Sequence, residues 1–171
     1  VGGAGGMQGA AALAGQAALH AGAGRVFVNA LAACPPTVPE LMWQPNRWQD
    51  VQTVSQATVV AGCGGGQAIA ANLPLLLSRA PRLVLDADAL NAIAADPTLQ
   101  TLLQQRAARG AATVLTPHPL EAARLLGAAG ATQIQADRLQ AAASLAARYR
   151  CTAVLKGSGT VIASPNELPC I

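Results

Sequence analysis

The chain has 171 residues, of which 52% are hydrophobic, 2% aromatic and 11% charged, with a formal net charge of +3. That length suits one domain with a substantial core. Lys156 is the only lysine and the arginines are scattered, which leaves no basic stripe with interleaved aromatics for nucleic acid, and no run of about 18 strongly apolar residues suggests a membrane span.

Gly2, Gly3, Gly5, Gly6 and Gly9 open the chain as a glycine-rich loop. Residues 10–21 follow as a helix of small side chains, closed by Gly22 and Gly24. Glycines ahead of a helix let backbone N–H groups approach an anion, and they equally permit close helix–sheet packing. The spacing fits neither G-x-G-x-x-G nor G-x-x-x-x-G-K-[ST]. Val26, Phe27 and Val28 form a short buried strand. Residues 30–54 hold Pro35, Pro36, Pro39 and Pro45 with both tryptophans, Trp43 and Trp48, and read as an irregular surface excursion with a short strand. The tryptophans suit either loop packing or an oligomer contact.

Residues 57–61 are the next strand, ending in Gly62, Cys63, Gly64, Gly65 and Gly66 before a helix that Pro74 should kink or restart. Residues 82–85 are a third strand, delivering Asp86 and Asp88 at its end, with Asn91 just beyond. Two carboxylates and an amide are costly to bury unpartnered, and they suit metal, hydroxyl or ribose contacts; Asp88 also suits an N-cap. Asp96 and Pro97 open another helix as N-cap and N1 residue.

Val114 and Leu115 read as a strand, broken by Thr116, Pro117, His118 and Pro119. Helical spacing resumes over 120–126, with Gly127 at the C-cap position. The prolines hold His118 beside a helix start, either as a binding group or as a turn histidine in water. A helix over 136–149 carries Leu139, Ala142, Ala143, Ala146 and Tyr149 on one stripe. Residues 153–155 and 161–163 are strands around Lys156, Gly157, Ser158, Gly159 and Thr160. That turn has the composition to wrap a phosphate with backbone donors and one cation; a plain hairpin is the alternative. Cys34, Cys63, Cys151 and Cys170 lack C-x-x-C or His-Cys spacing, so reduced thiols are expected.

The alternation of strands and helices predicts an α/β fold with a mainly parallel sheet, which places the Gly62 loop, Asp86 to Asn91 and Thr116 to Glu121 along one sheet edge.

Taken in order, six segments resemble the ADP/ATP-dependent NAD(P)H-hydrate dehydratase family of the ribokinase-like superfamily. They are GGMQGAAALAG from Gly5, GAGRV from Gly22, GCGGG from Gly62, LDADALN from Leu85, LTPHPLE from Leu115 and LKGSGT from Leu155. The resemblance implies a three-layer α/β/α fold and ADP- or ATP-dependent repair of hydrated NADH or NADPH. It places Ala10, Gly66, Asp86, Asn91 and His118 at the hydrate, and Lys156, Gly157, Ser158, Gly159 and Thr160 at the nucleotide phosphates. Mg2+ is implied as cofactor, with Glu121 a candidate to position it through water. A cytoplasmic homo-oligomer is expected, with no nucleic-acid or membrane partner. The family's Gly-Thr-Gly-Asp motif, whose aspartate is the expected general base, is not found before Ile171, and an opening strand is not found before Val1. The reading is therefore one domain over 1–171, truncated at both ends, and inactive alone. A small-molecule kinase of the same superfamily and a non-catalytic nucleotide-binding module are the alternatives; a Rossmann dehydrogenase lacks its fingerprint.

Overall fold

The computed structural model describes residues 1–33, 38–44 and 49–171. Cys34, Pro35, Pro36, Pro45 and Trp48, which figure in the sequence reading above, lie outside the described residues. In chain order the elements are α1 (Gln8–His20), β1 (Phe27–Val28), β2 (Met42–Trp43), α2 (Val51–Gln56), β3 (Thr58–Ala61), α3 (Leu73–Arg79), β4 (Arg82–Leu85), α4 (Asp88–Ala95), α5 (Pro97–Gln105), β5 (Ala112–Leu115), α6 (Pro119–Leu126), α7 (Ala131–Ala136), α8 (Arg138–Tyr149), β6 (Thr152–Leu155) and β7 (Val161–Ala163).

β3, β4, β5 and β6 are parallel neighbours in that order, and β7 closes the sheet antiparallel to β6. β1 and β2 form a small parallel pair. Residues 1–3 lie between the two sheets. Gly2 donates to the Asn29 carbonyl (3.2 Å), while Gly62 donates to that of Val1 (3.0 Å) and Gly3 to that of Cys63 (3.0 Å). A methyl group on Gly2 would meet the Cys63 oxygen at 2.3 Å, so glycine here serves backbone approach between strands. The chain runs one way through α1 to β1 and the other way from β3 to β4. Right-handed crossovers in opposite directions put their helices on opposite faces, and the apolar core is accordingly split in two. Gly15 of α1 fits against Val28 and Leu41, where a methyl group would meet carbon at 3.0 Å. A mainly parallel sheet flanked by helices is thus the architecture the sequence predicts.

Alternation along β3 to β7 buries Ala61, Leu83, Leu85, Leu115, Ala153, Leu155 and Val161 beneath the larger helical layer. Arg106, 1% exposed, ties that layer together. Its guanidinium donates to Thr113 Oγ1 (2.7 Å) and to the carbonyls of Leu77 (2.9 Å) and Ala112 (3.0 Å). Burial, followed by the charge of Arg109, lowers its pKa to about 10.

The helix after the Gly62 loop begins as a 3-10 turn over Gln67–Asn72 and restarts as α3 with Pro74 in its first turn, the restart that the proline predicts. Three expectations need correction. The stretch expected as loop before Val54 contains most of α2, capped by Asp50 through Gln52 and Thr53. The helix expected from residue 136 begins at Arg138, preceded by the separate α7. Leu139 is 46% exposed; the buried stripe of α8 is Ala141, Ala142, Leu145, Ala146 and Tyr149. Cys63, Cys151 and Cys170 are free thiols.

Candidate active site

The C-terminal ends of β3, β4, β5 and β6 lie side by side, next to the point where the chain's direction of winding reverses. Open α/β sheets bind ligands in such a crevice. Each strand end brings one segment to it.

After β3 the backbone turns at Gly62, whose φ is +114°. A methyl group there would sit 1.9 Å from the Asp86 carbonyl oxygen, so the loop presses directly on the end of β4. Gly64 packs against α1, with Met7 O and Ala10 Cβ within 3.0 Å of where its own Cβ would be. Gly66 donates its N–H to Asp88 Oδ2 (2.8 Å). Asp88 is therefore spent on fixing this loop. It is the first residue of α4, and no side chain caps that helix, which corrects the N-cap expectation. Gly66, Asp88 and Asn91 line one cleft of about 520 Å³. A larger cavity of about 720 Å³ lies between α1, β1 and β3 and is lined by none of the predicted site residues. The strand ends are the better candidate because the polar groups converge there.

Asp86 is the centre of that convergence. Its Oδ1 accepts from Thr116 Oγ1 (2.8 Å) and from Lys156 Nζ (2.5 Å). On the other side, Cys63 Sγ lies 3.9 Å from Oδ2. Burial, and then the Asp86 charge, push the Cys63 thiol up, so it stands as a neutral neighbour rather than a thiolate. Between the two aspartates Ala87 adopts φ +50°, ψ −116°, unusual for a residue with a side chain. That kink sends Asp86 toward Lys156 and Asp88 toward Gly66.

After β5, Thr116 meets Asp86 and the Pro117 carbonyl accepts the Lys156 N–H (2.9 Å). His118 is the N-cap of α6: its Nδ1 accepts from the amides of Leu120 (3.1 Å) and Glu121 (3.3 Å). Glu121, 3% exposed, returns Oε2 to the His118 N–H (2.8 Å), and its Oε1 faces His118 Nε2 at 3.2 Å. This is a capping box with histidine in the place of serine. Both readings of His118 as ligand or solvated turn residue overlooked this third role. Glu121 has both oxygens turned to His118, so the carboxylate is engaged in the cap. Among the described residues no group of three or more His, Cys, Asp or Glu side chains could hold a metal ion.

Asn91 stands apart from Asp86 in its bonding, its Oδ1 accepting from Arg124 Nη1 of α6 (2.7 Å). Between β6 and β7, Gly157, Ser158 and Gly159 are exposed, and the described residues provide no hydrogen-bond partner for their N–H groups. Thr160 Oγ1 donates back to the Gly157 carbonyl (3.1 Å). The geometry thus joins Asp86 to Lys156 and Gly66 to Asp88, with His118 on the intervening turn. Sequence reasoning places Thr116 on the candidate edge but gives it no partner; its hydroxyl follows β5 and donates to Asp86.

The sequence model described as NAD(P)H-hydrate dehydratase matches residues 1–170. An ADP-dependent (S)-NAD(P)H-hydrate dehydratase from Neisseria meningitidis is 39% identical over 175 residues, covering 97% of this chain and 57% of the relative. The chain therefore spans little more than half of that relative's length. An ADP/ATP-dependent NAD(P)H-hydrate dehydratase from Bacillus subtilis, co-crystallised with ATP/Mg2+, superposes with a TM-score of 0.70 at 25% identity, covering 99% of this chain and 60% of that one. A ribokinase-like superfamily protein from Enterococcus faecalis shares the fold, with a TM-score of 0.71 at 21% identity over 95% of this chain and 57% of its own.

Proposed function

We propose, because this chain belongs to the NAD(P)H-hydrate dehydratase family, that the whole protein uses an adenine nucleotide to convert hydrated NADH or NADPH back to the intact cofactor. The hydroxyl oxygen of the hydrate takes the terminal phosphoryl group of ADP or ATP. The C–O bond then breaks with loss of phosphate, and a proton leaves the adjacent ring carbon as the double bond returns. The observation that carries this reading is the Lys156–Asp86 ion pair of 2.5 Å. It joins the turn suited to phosphate directly to the strand end suited to the hydrate.

In this reading Lys156, Gly157, Ser158, Gly159 and Thr160 hold the nucleotide phosphates through backbone N–H groups and one cation. Ala10, Gly66, Asn91 and His118 line the hydrate side. Asp86 stands between them, and holds Lys156 in place until phosphate competes for it. Phosphoryl transfer depends mainly on positioning and charge stabilisation, which is what such a cluster supplies. Magnesium fits as a companion of the nucleotide phosphates, since the described side chains form no cage for it; no step is assigned to it. The protein is taken to work in the cytoplasm as a homo-oligomer. No helix of the described residues is long and apolar enough to cross a membrane.

The test is incubation of the whole protein with hydrated NADPH and ADP. Return of the dihydronicotinamide absorbance, with phosphate and AMP released in step, supports the dehydratase. Accumulation of a stable phosphorylated alcohol would favour a small-molecule kinase. Binding of both ligands without turnover would leave a non-catalytic module.

A further inference from the structure

Arg138 opens α8, yet its side chain leaves the helix and passes beneath the turn of residues 156–160. Nη2 donates to the carbonyl oxygens of Leu155 (3.1 Å), Lys156 (3.4 Å) and Gly159 (3.1 Å). Nη1 donates to Gln135 Oε1 (2.8 Å), which anchors the guanidinium from the other side. A methyl group on Gly157 would lie 2.9 Å from Nη2 and 3.0 Å from Nη1, so the guanidinium packs directly against the backbone of the turn. No carboxylate takes part in these contacts. With Nη2 on backbone carbonyls, Nη1 on the Gln135 side chain and Nε buried without a partner among the described residues, the guanidinium keeps its positive charge uncompensated at short range.

Two consequences follow for the turn. Carbonyls of Leu155, Lys156 and Gly159 point back at the guanidinium, while the amides of Gly157, Ser158 and Gly159 remain exposed and unpaired among the described residues. The charge behind the carbonyls also adds to that of Lys156 and favours an anion in front of the amides. A hairpin turn needs neither feature; a turn preset for phosphate benefits from both.

We propose that Arg138 is a positioning residue for the nucleotide. It draws the carbonyls of the turn back so that its amides are fixed facing the phosphates before the nucleotide arrives. It touches no substrate and acts through the turn. This inference rests on the assignment of residues 156–160 to the nucleotide.

The experiment has two stages on the whole protein. Hydrogen exchange with and without ADP comes first, and protection of residues 156–160 by ADP is expected. No protection there would overturn both the nucleotide assignment and this proposal. Affinities for ADP and for adenosine are then measured with Arg138→Gln and Arg138→Lys. Loss of the charge and its carbonyl contacts should weaken ADP about tenfold, on the scale of one charge-assisted contact, and leave adenosine within about twofold. Arg138→Lys keeps the charge but lacks the planar fork, so it should fall between wild type and Arg138→Gln. Protection of the turn with unchanged ADP affinity in Arg138→Gln would overturn the role of Arg138 alone. Equal losses for ADP and adenosine would reduce it to a structural residue and overturn the proposal. Should Arg138→Gln fail to fold, Arg138→Lys decides: selective loss of ADP upholds the proposal, and unchanged ADP affinity overturns it.

Discussion

Gly62→Ala changes no chemistry at the site, yet it should be among the most damaging single-methyl substitutions in the chain. The added carbon would stand 1.9 Å from the Asp86 carbonyl oxygen, 2.7 Å from Ala89 Cβ and 2.9 Å from the Ala89 nitrogen. All three belong to the junction between β4 and α4, so no flexible side chain can swing clear. Forcing a residue with Cβ to φ +114° costs about 1–3 kcal/mol, and overpacking a rigid contact costs about 1–3 kcal/mol more. Gly127→Ala is the control. It shares a positive φ, +71°, but nothing lies within 4 Å of its added carbon, so only the backbone cost of about 1–2 kcal/mol applies. Urea unfolding of both variants isolates the steric contribution as the difference between their midpoints at constant slope. A difference of about 1–3 kcal/mol, with Gly62→Ala the weaker protein, is expected. Variants within about 0.5 kcal/mol of each other would refute the claim that the Gly62 loop abuts Asp86.

Ala87→Gly should stabilise the protein by about 1 kcal/mol, because glycine takes φ +50°, ψ −116° without a Cβ clash; calorimetry showing a loss of stability would contradict the kink. Tyr149→Phe removes a buried donor to the Leu125 carbonyl (3.0 Å) and should cost about 1–3 kcal/mol by the same urea measurement. Burial pushes the Cys151 thiol from 9.0 up to about 12. A raised acid favours the protonated folded state, so its contribution is whole below pH 9 and drains away as pH rises from there through about 12. Each pH unit in that window should remove about 1.4 kcal/mol, and Cys151→Ala should flatten the decline measured by urea titration in alkaline buffers.

Elements with a clean period and strong punctuation were legible from sequence. The largely apolar run over 82–85 ahead of Asp86 defined β4 to the residue, and the Asp96-Pro97 pair opened α5, with Asp96 accepting from the Thr98 amide. Gly127 closed α6 as the left-handed cap. The six-residue α2 and α7 were missed because so short a helix barely shows a period, and α2 follows a segment rich in proline and tryptophan. At the site, sequence order placed Asp86 and the Lys156 turn at strand ends, and the parallel topology brought those ends together. What it could not reveal was which partner each polar group takes. Local rules assign Asp88 to its own helix, whereas its carboxylate reaches Gly66, 22 positions back. His118, held between two prolines, reads as a binding group or a solvated turn residue, and its capping role is hidden because serine or aspartate is the usual cap. Ala87 carries a strained backbone that no alanine advertises, and Arg138 finds its carbonyls only once α8 and the β6–β7 hairpin have packed.

The central claim, that Asp86 couples a hydrate side to a phosphate side, meets its most direct test in dehydratase turnover by the whole protein beside its Asp86→Asn variant. The substitution keeps the shape and a hydrogen bond to Thr116 but releases Lys156 from its charged partner. The account predicts nucleotide-dependent turnover in the parent, a loss of about 10²-fold in kcat for the variant, and thermal unfolding little changed because the pair is partly exposed. Undiminished turnover in Asp86→Asn would contradict it.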